Sequence, residues 1–146
     1  MSSYPQVDIT IVGGGPVGLF GSFYAGLRGM SVRIIDSLPE LGGQLTALYP
    51  EKYVYDMPGF PKVLAKDLAA ELIAQGTQFD PELQLGETAE VLEGSVGDFV
   101  ITTASGKVLP TKTIIIAAGN GSLKKKKMGV EREEEFADKE CVFYGV

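Results

Sequence analysis

Runs of β-branched, apolar residues alternate with a segment of helical period in the first quarter of the chain. Val7–Val12 stops at Gly13 and has the composition of a strand buried on both faces. Pro16 suits the first turn of a helix, which Gly29 is expected to end. The apolar positions that recur at helical spacing in between are Val17, Phe20, Tyr24 and Leu27. With a second strand over Val32–Asp36, the pattern predicts a right-handed β-α-β unit.

The pattern is less regular downstream. Glycine and proline recur through residues 38–61, where we expect loops and a short helix near Leu45–Tyr49. An amphipathic helix is predicted over Ala65–Gln75 and a buried strand over Thr113–Ala118, which is expected to rejoin the first sheet. Short antiparallel strands are predicted in between, over Glu87–Glu93, Phe99–Thr103 and Lys107–Pro110. The fold class is therefore α/β, a parallel sheet with a small inserted antiparallel layer.

Composition and charge exclude several kinds of site. The 146 residues include no histidine, so a Ser-His-Asp triad or a histidine-ligated metal cannot be built from this chain alone. The net charge of −6 disfavours nucleic-acid and anionic-membrane surfaces. No apolar stretch approaches the roughly 20 residues that span a bilayer. The single cysteine, Cys141, cannot form an internal disulfide, which fits a reducing compartment, and we expect a cytoplasmic protein.

Clustered glycines are the strongest chemical signal. Gly13, Gly15 and Gly18 form G-x-G-x-x-G between the first predicted strand and helix. In such a motif the glycines permit a tight turn, approach of a pyrophosphate and close helix–strand packing, while the helix N-terminus supplies positive partial charge. Asp36 ends the second strand, where a carboxylate can bind ribose hydroxyls and would repel a 2′-phosphate. The motif favours FAD or NAD over NADP; the alternative is a glycine-rich turn beside a surface aspartate.

Motifs farther along the chain carry a family resemblance. The segment Leu38–Val63 contains GGQL, LYPEKY and GFPK, and IIIAAGNGS occupies Ile114–Ser122. These motifs resemble the thioredoxin-reductase-like flavoproteins, and among them the ferredoxin–NADP(+) reductases of the thioredoxin reductase type. The resemblance covers nearly the whole chain and implies a Rossmann-like FAD-binding fold of three layers, ββα.

The resemblance also implies a set of FAD-binding residues. They are Gly13, Gly15, Pro16 and Gly18 at the pyrophosphate, Asp36 at the adenosine ribose, Gly43, Gln44 and Tyr49 at the flavin, Ala89 at the adenine, and Gly119 to Leu123 in a loop that returns to the cofactor. Tyr53 and Asp56 are further candidates for the flavin wall. For Tyr49, Tyr53 and Tyr55 the alternative is ordinary packing of an amphipathic loop.

The activity implied by the resemblance belongs mainly to the flavin. NADPH would reduce it, and electrons would pass to ferredoxin or a similar small redox protein; no catalytic side chain is assigned. Two alternatives stay open, a thioredoxin-reductase-like flavoprotein and a non-catalytic FAD- or NAD-binding module. Because family members are commonly homodimers, we expect a homodimer.

The domain prediction divides the chain near its end. Residues 1–123 are assigned to an FAD-binding domain, and residues 124–146 to a charged linker that begins the connection to an NADPH-binding domain absent from this chain. The isolated chain is therefore expected not to oxidise NADPH. Lys124–Lys127 fits either a solvated linker or a docking site for an acidic ferredoxin, and the linker is the preferred interpretation.

Overall fold

The computed structural model describes residues 4–122, 129–131 and 135–136. These residues form the helices α1 (Pro16–Leu27), α2 (Gln44–Ala47) and α3 (Ala65–Gly76), and the strands β1 (Val7–Val12), β2 (Val32–Asp36), β3 (Tyr53–Val54), β4 (Val63–Leu64), β5 (Glu82–Leu85), β6 (Ala89–Ser95), β7 (Asp98–Thr103) and β8 (Val108–Ile116). The predicted β-α-β unit is confirmed. The short helix predicted near residues 45–49 is observed as α2, which begins one residue earlier and ends two residues earlier.

One six-stranded sheet organises the fold, in the order β5-β2-β1-β8-β7-β6. The first four strands are parallel, whereas β7 and β6 run antiparallel to their neighbours. A separate two-stranded sheet pairs β3 with β4. The mostly parallel sheet with a small antiparallel part confirms the predicted fold class.

Strand β8 corrects the sequence prediction, because it is one strand of nine residues where two were expected. Its first half pairs with β7 and its second half with β1, and Thr111 has a partner in both. Proline lacks an amide donor and often ends a strand. Pro110 does not end this one, since it still pairs with Val100 and its carbonyl accepts a hydrogen bond from Arg33 at 2.9 Å.

The sheet curls so that its antiparallel part covers the face opposite the helices. Side chains at successive strand positions point to opposite faces. Ile34 belongs to the core cluster shared with Leu19 of α1, whereas its neighbour Ile35 packs with Ile101 of β7 and Leu109 of β8. Helices, parallel strands and antiparallel strands therefore form the three predicted layers.

Helix α1 buries Leu19 and several small residues, and exposes most of its large apolar side chains. Its buried residues are Gly18, Leu19, Ser22, Ala25 and Gly26. The apolar residues that revealed its period, Val17, Phe20, Tyr24 and Leu27, are 48–71% exposed. Close packing on the end of α3 and on the residues after it explains why small residues are buried here. Ser22 Oγ donates to the Gly76 carbonyl at 2.8 Å, and a Cβ at Gly26 would lie 2.6 Å from Phe79. The helical period was right, but it did not mark the buried face.

Two further searches cover only the part of the chain that the structure describes. No helix there is both long and apolar enough to cross a membrane. In the same residues, no group of acidic, cysteine or histidine side chains is arranged to hold a metal ion.

Candidate dinucleotide-binding site

The carboxyl ends of β1, β2 and β8 open into one cleft of about 460 Å³. In open α/β sheets, ligands bind at this edge, where the strand order reverses. The cleft is lined by Val12, Gly13, Gly15, Pro16, Val17, Ile35, Asp36, Ser37, Leu38, Gly43, Gln44, Leu45, Tyr49, Glu87, Thr88, Ala89, Ala117, Ala118, Gly119, Gly121 and Ser122.

The turn between β1 and α1 requires glycine for two different reasons. Gly13 has φ +116°, and a Cβ there would lie 2.3 Å from the Ala117 carbonyl oxygen. A Cβ at Gly18 would lie 1.8 Å from the Gly13 oxygen, so Gly18 permits packing behind the cleft and is not part of its wall. Gly15 is the N-cap of α1 and Pro16 its first residue. The unpaired amides of the first turn therefore lie at the cleft, where they favour a negative charge.

A second glycine loop contacts the first. Gly42 N donates to the Gly14 carbonyl at 2.9 Å, and Gly43 has φ +60°. A Cβ on Gly43 would lie 2.9 Å from Gly15 Cα, so a side chain there would separate the two loops. The contact places Gly43 and Gln44 beside the turn between β1 and α1.

Asp36 is fixed by backbone donors. Gly14 N donates to one carboxylate oxygen, and Leu38 N donates to the other at 2.8 Å. A carboxylate has about four acceptor sites, so capacity remains for ribose hydroxyls. The Asp36 side chain therefore lines the cleft and also connects the carboxyl ends of β1 and β2.

Tyr49 separates the cleft from a neighbouring hollow of about 660 Å³. Its hydroxyl donates to Gln44 Oε1 at 3.4 Å. Tyr53 and Asp56 line only the neighbouring hollow, together with the exposed Tyr55. Tyr49 therefore lies at the expected flavin end of the cleft, while Tyr53 and Asp56 lie behind it.

The wall opposite the glycine turn is formed by Glu87, Thr88 and Ala89. Glu87 is only 8% exposed and forms an ion pair with Lys107, Oε1 to Nζ, at 3.0 Å. Hydrogen bonds from Lys107 and then Ser105 lower the pKa of the Glu87 carboxyl from 4.5 to about 2. The carboxylate is therefore ionised across the physiological range.

The structure brings most of the predicted site residues to one cleft. Those on its wall are Gly13, Gly15, Pro16, Asp36, Gly43, Gln44, Tyr49, Ala89 and Gly119. Leu123, Lys124–Lys127 and Cys141 lie outside the described residues. Sequence reasoning missed Ser37, Leu38, Glu87 and Thr88 as cleft residues. The available signal was adjacency, because they lie beside Asp36 and Ala89 in the sequence.

The chain is similar in sequence to ferredoxin–NADP reductases, although no family model matches it. It is 52% identical over 141 residues, 97% of its length, to ferredoxin–NADP reductase of Thermus thermophilus. It is 47% identical over 137 residues, 94% of its length, to ferredoxin–NADP reductase 2 of Shouchella clausii. The chain spans 42% of the length of each of these relatives.

Solved structures with a similar fold include thioredoxin reductases. That of Streptococcus pyogenes matches with a TM-score of 0.69 and 25% identity, over 92% of this chain and 41% of the other. That of T. acidophilum matches with a TM-score of 0.69 and 26% identity, over 91% of this chain and 41% of the other. In sequence and in fold, the chain is therefore similar to the N-terminal portion of ferredoxin–NADP reductases and thioredoxin reductases.

Proposed function

We propose that the chain binds FAD in this cleft and forms the FAD-binding part of a ferredoxin–NADP reductase. The observation that carries the proposal is the contact between the two glycine loops, which creates an extended cradle beside Asp36 and the N-terminus of α1. Glycine turns of this kind bring backbone donors close to a pyrophosphate. The cleft volume of about 460 Å³ is within the usual range for small-molecule sites.

The residues have separate roles in this proposal. Gly13, Gly15 and Pro16 hold the pyrophosphate, with Gly18 keeping helix and strand close behind them. The adenosine lies between Asp36 and Ala89. The flavin end is bordered by Gly43, Gln44, Tyr49 and Gly119. Leu123, which lies outside the described residues, stays a predicted contact. When bound, the flavin supplies hydride and single-electron chemistry, and the protein binds and orients it.

The whole-protein activity is part of the same proposal. NADPH would be the reductant, acting through a domain beyond residues 1–123, and ferredoxin or a similar small redox protein the acceptor. The relatives named as ferredoxin–NADP reductases support this acceptor over thioredoxin, because their identity of up to 52% exceeds the 25–26% of the thioredoxin reductases. A cytoplasmic homodimer completes the proposal.

A nucleotide-binding module that holds NAD is the second candidate, since the turn and Asp36 alone would serve NAD equally well. The second glycine loop and Tyr49 favour FAD, because they extend the cradle beyond the pyrophosphate turn and end it with an aromatic wall. Aromatic faces suit a flat ring system.

Binding measurements on the purified chain test the proposal. We expect FAD to bind more tightly than NAD, with perturbed flavin absorption and fluorescence. Tighter binding of NAD would favour the second candidate, and binding of neither would contradict both.

Gly15→Ala tests the location of the site. A Cβ there would meet Gly43 Cα at 3.9 Å and no closer atom, so it would project into the cleft without disturbing the fold. We expect lost FAD binding with a melting temperature within a few degrees of the wild type. Gly21→Ala on the same helix is the matched control, because its Cβ would make an ordinary 3.5 Å contact with Ile11.

A further inference from the structure

A line of hydrogen-bonded polar side chains ends at the cleft. Its members, from the cleft inward, are Ser105, Glu87, Lys107, Gln84, Glu82 and Arg33. At the cleft end, Ser105 Oγ donates at 2.8 Å to the Glu87 carboxylate, whose Oε1 lies 3.0 Å from Lys107 Nζ. Lys107 Nζ also donates to Gln84 Oε1 at 2.9 Å. The ammonium therefore joins a residue of β5 to a residue of the cleft wall.

The line continues into the protein interior. Gln84 Nε2 donates to Glu82 Oε1 at 2.8 Å, and Arg33 donates to both carboxylate oxygens of Glu82 at 2.9 Å. Arg33 is fully buried and also donates to the carbonyls of Pro5 and Pro110. The Glu82 carboxylate neutralises the buried guanidinium of Arg33. The hydrogen bonds of Arg33 also connect β2 to β5 and β8.

Main-chain hydrogen bonds show which segment the line holds. Glu87 N donates to the Asp36 carbonyl, and Ala104 N donates to the Thr88 carbonyl, both at 2.9 Å. The segment that contains Thr88 and Ala89 is therefore hydrogen-bonded to β2 on one side and to the turn that follows β7 on the other. Ser105 and Lys107 lie at that turn, and their side chains bond to the Glu87 carboxylate.

We propose that Glu87 is a positioning residue for the adenosine end of the cofactor, acting through Ser105 and Lys107 to fix the cleft wall at Thr88 and Ala89. The inference rests on the proposed function. Glu87 acts at one end of the cleft, because Gly43, Gln44 and Tyr49 belong to a different loop. Among the described residues, no hydrogen bond or ion pair joins that loop to these polar side chains. Loss of the Glu87 charge therefore weakens adenosine recognition and leaves the flavin end unchanged.

Affinities of Glu87→Gln for three ligands test the proposal. FAD and ADP contain the adenosine, and FMN does not. We expect Glu87→Gln to lower the affinity for FAD and ADP by about tenfold and the affinity for FMN by less than about twofold. A small displacement of the wall at Thr88 and Ala89 reduces affinity only for ligands that contain the adenosine. Ser105→Ala removes one donor while keeping the ion pair, so it should give a smaller change in the same direction.

Glu51→Gln is the matched control, because Glu51 also accepts a lysine hydrogen bond at 2.9 Å but in an exposed pair with Lys66. It should change no affinity. Equal losses of FMN and FAD in Glu87→Gln and Ser105→Ala would indicate a general structural effect and overturn the proposal. Unchanged affinity for all three ligands would overturn it as well.

Amide hydrogen exchange without ligand separates this inference from the proposed function. In Glu87→Gln we expect faster exchange at Ala104, whose N–H bonds to Thr88, and unchanged exchange at Leu19, whose N–H bonds to Gly15. Unchanged exchange at Ala104 would overturn the anchoring role even if FAD binds. If the wild type binds none of the ligands, the proposed function and the positioning role both fail, while exchange still reports the anchoring.

Discussion

Gly13 and Gly18 illustrate how one motif combines a conformational and a steric requirement. Gly13 adopts a positive φ that side chains rarely tolerate, and Gly18 leaves no space between α1 and the β1 turn. Only the first of the two lines the cleft. At the scale of single residues, the motif therefore contributes to stability as well as to recognition.

Gly18→Ala should be strongly destabilising. Its Cβ would lie 1.8 Å from the Gly13 carbonyl oxygen, so the helix must move, and overpacking of this kind costs about 1–3 kcal/mol or more. Gly21→Ala, on the same helix, should be neutral or stabilising, because alanine favours helix by about 1 kcal/mol over glycine. Urea denaturation of both variants measures the difference. Equal stability of the two would contradict the packing role of Gly18.

Glu87 should also make stability depend on pH. Its pKa falls from 4.5 to about 2 on folding, chiefly through the hydrogen bond from Lys107, so its carboxylate stabilises the folded state above pH 4.5. That contribution should disappear as the pH falls from 4.5 towards 2. The difference in melting temperature between wild type and Glu87→Gln should therefore shrink across this range. A constant difference from pH 7 to pH 2.5 would contradict the assignment.

At the scale of elements, α1 shows that helical period and burial are separate properties. Apart from Leu19, the buried residues of α1 are small, and the large apolar residues Val17, Phe20, Tyr24 and Leu27 are exposed. Glycine at the contact allows helices and strands to approach closely. The spacing of these Val, Phe, Tyr and Leu residues therefore identifies the helix, but the residues do not mark the face that packs against the rest of the protein.

Two identical substitutions on α1 should differ in cost. Leu19 is fully buried and Leu27 is more than half exposed. We expect Leu19→Ala to lose about 2–5 kcal/mol of unfolding free energy, as buried leucines do, and Leu27→Ala to lose less than about 1 kcal/mol. Chemical denaturation gives both values. Similar losses would mean that the large apolar residues are the packed face after all.

For the whole molecule, local patterns were enough to predict the parallel sheet and the return of its last strand, but not every strand or strand boundary. The runs that became β1 and β2 are rich in β-branched residues, and their β-α-β order dictates parallel pairing. Strand β5 was missed because its four residues, ELQL, include two polar side chains and carry no run of β-branched residues. The continuity of β8 depends on partners in both β1 and β7, which no local pattern contains.

The candidate site also contains residues that the sequence could reveal and residues that it could not. The glycine turn and Asp36 are close in sequence and could be found there. The buried Arg33 could not be recognised, because its partners Glu82 and Pro110 lie 49 and 77 residues away. The place of Glu87 in the cleft wall likewise depends on Ser105 and Lys107, which only the folded sheet brings together.

The exposed side of α1 has a consequence for behaviour in solution. Phe20 stacks on Tyr24 and lies near Phe23, whose ring contacts Phe79, so the apolar surface is continuous. Patches of this kind attract one another in water, and salt screens charges but not hydrophobic attraction. Light scattering should therefore give a second virial coefficient that falls as salt screens the net charge of −6. Phe20→Glu should raise that coefficient, whereas Val96→Glu, at an isolated site 91% exposed, should raise it only by its charge.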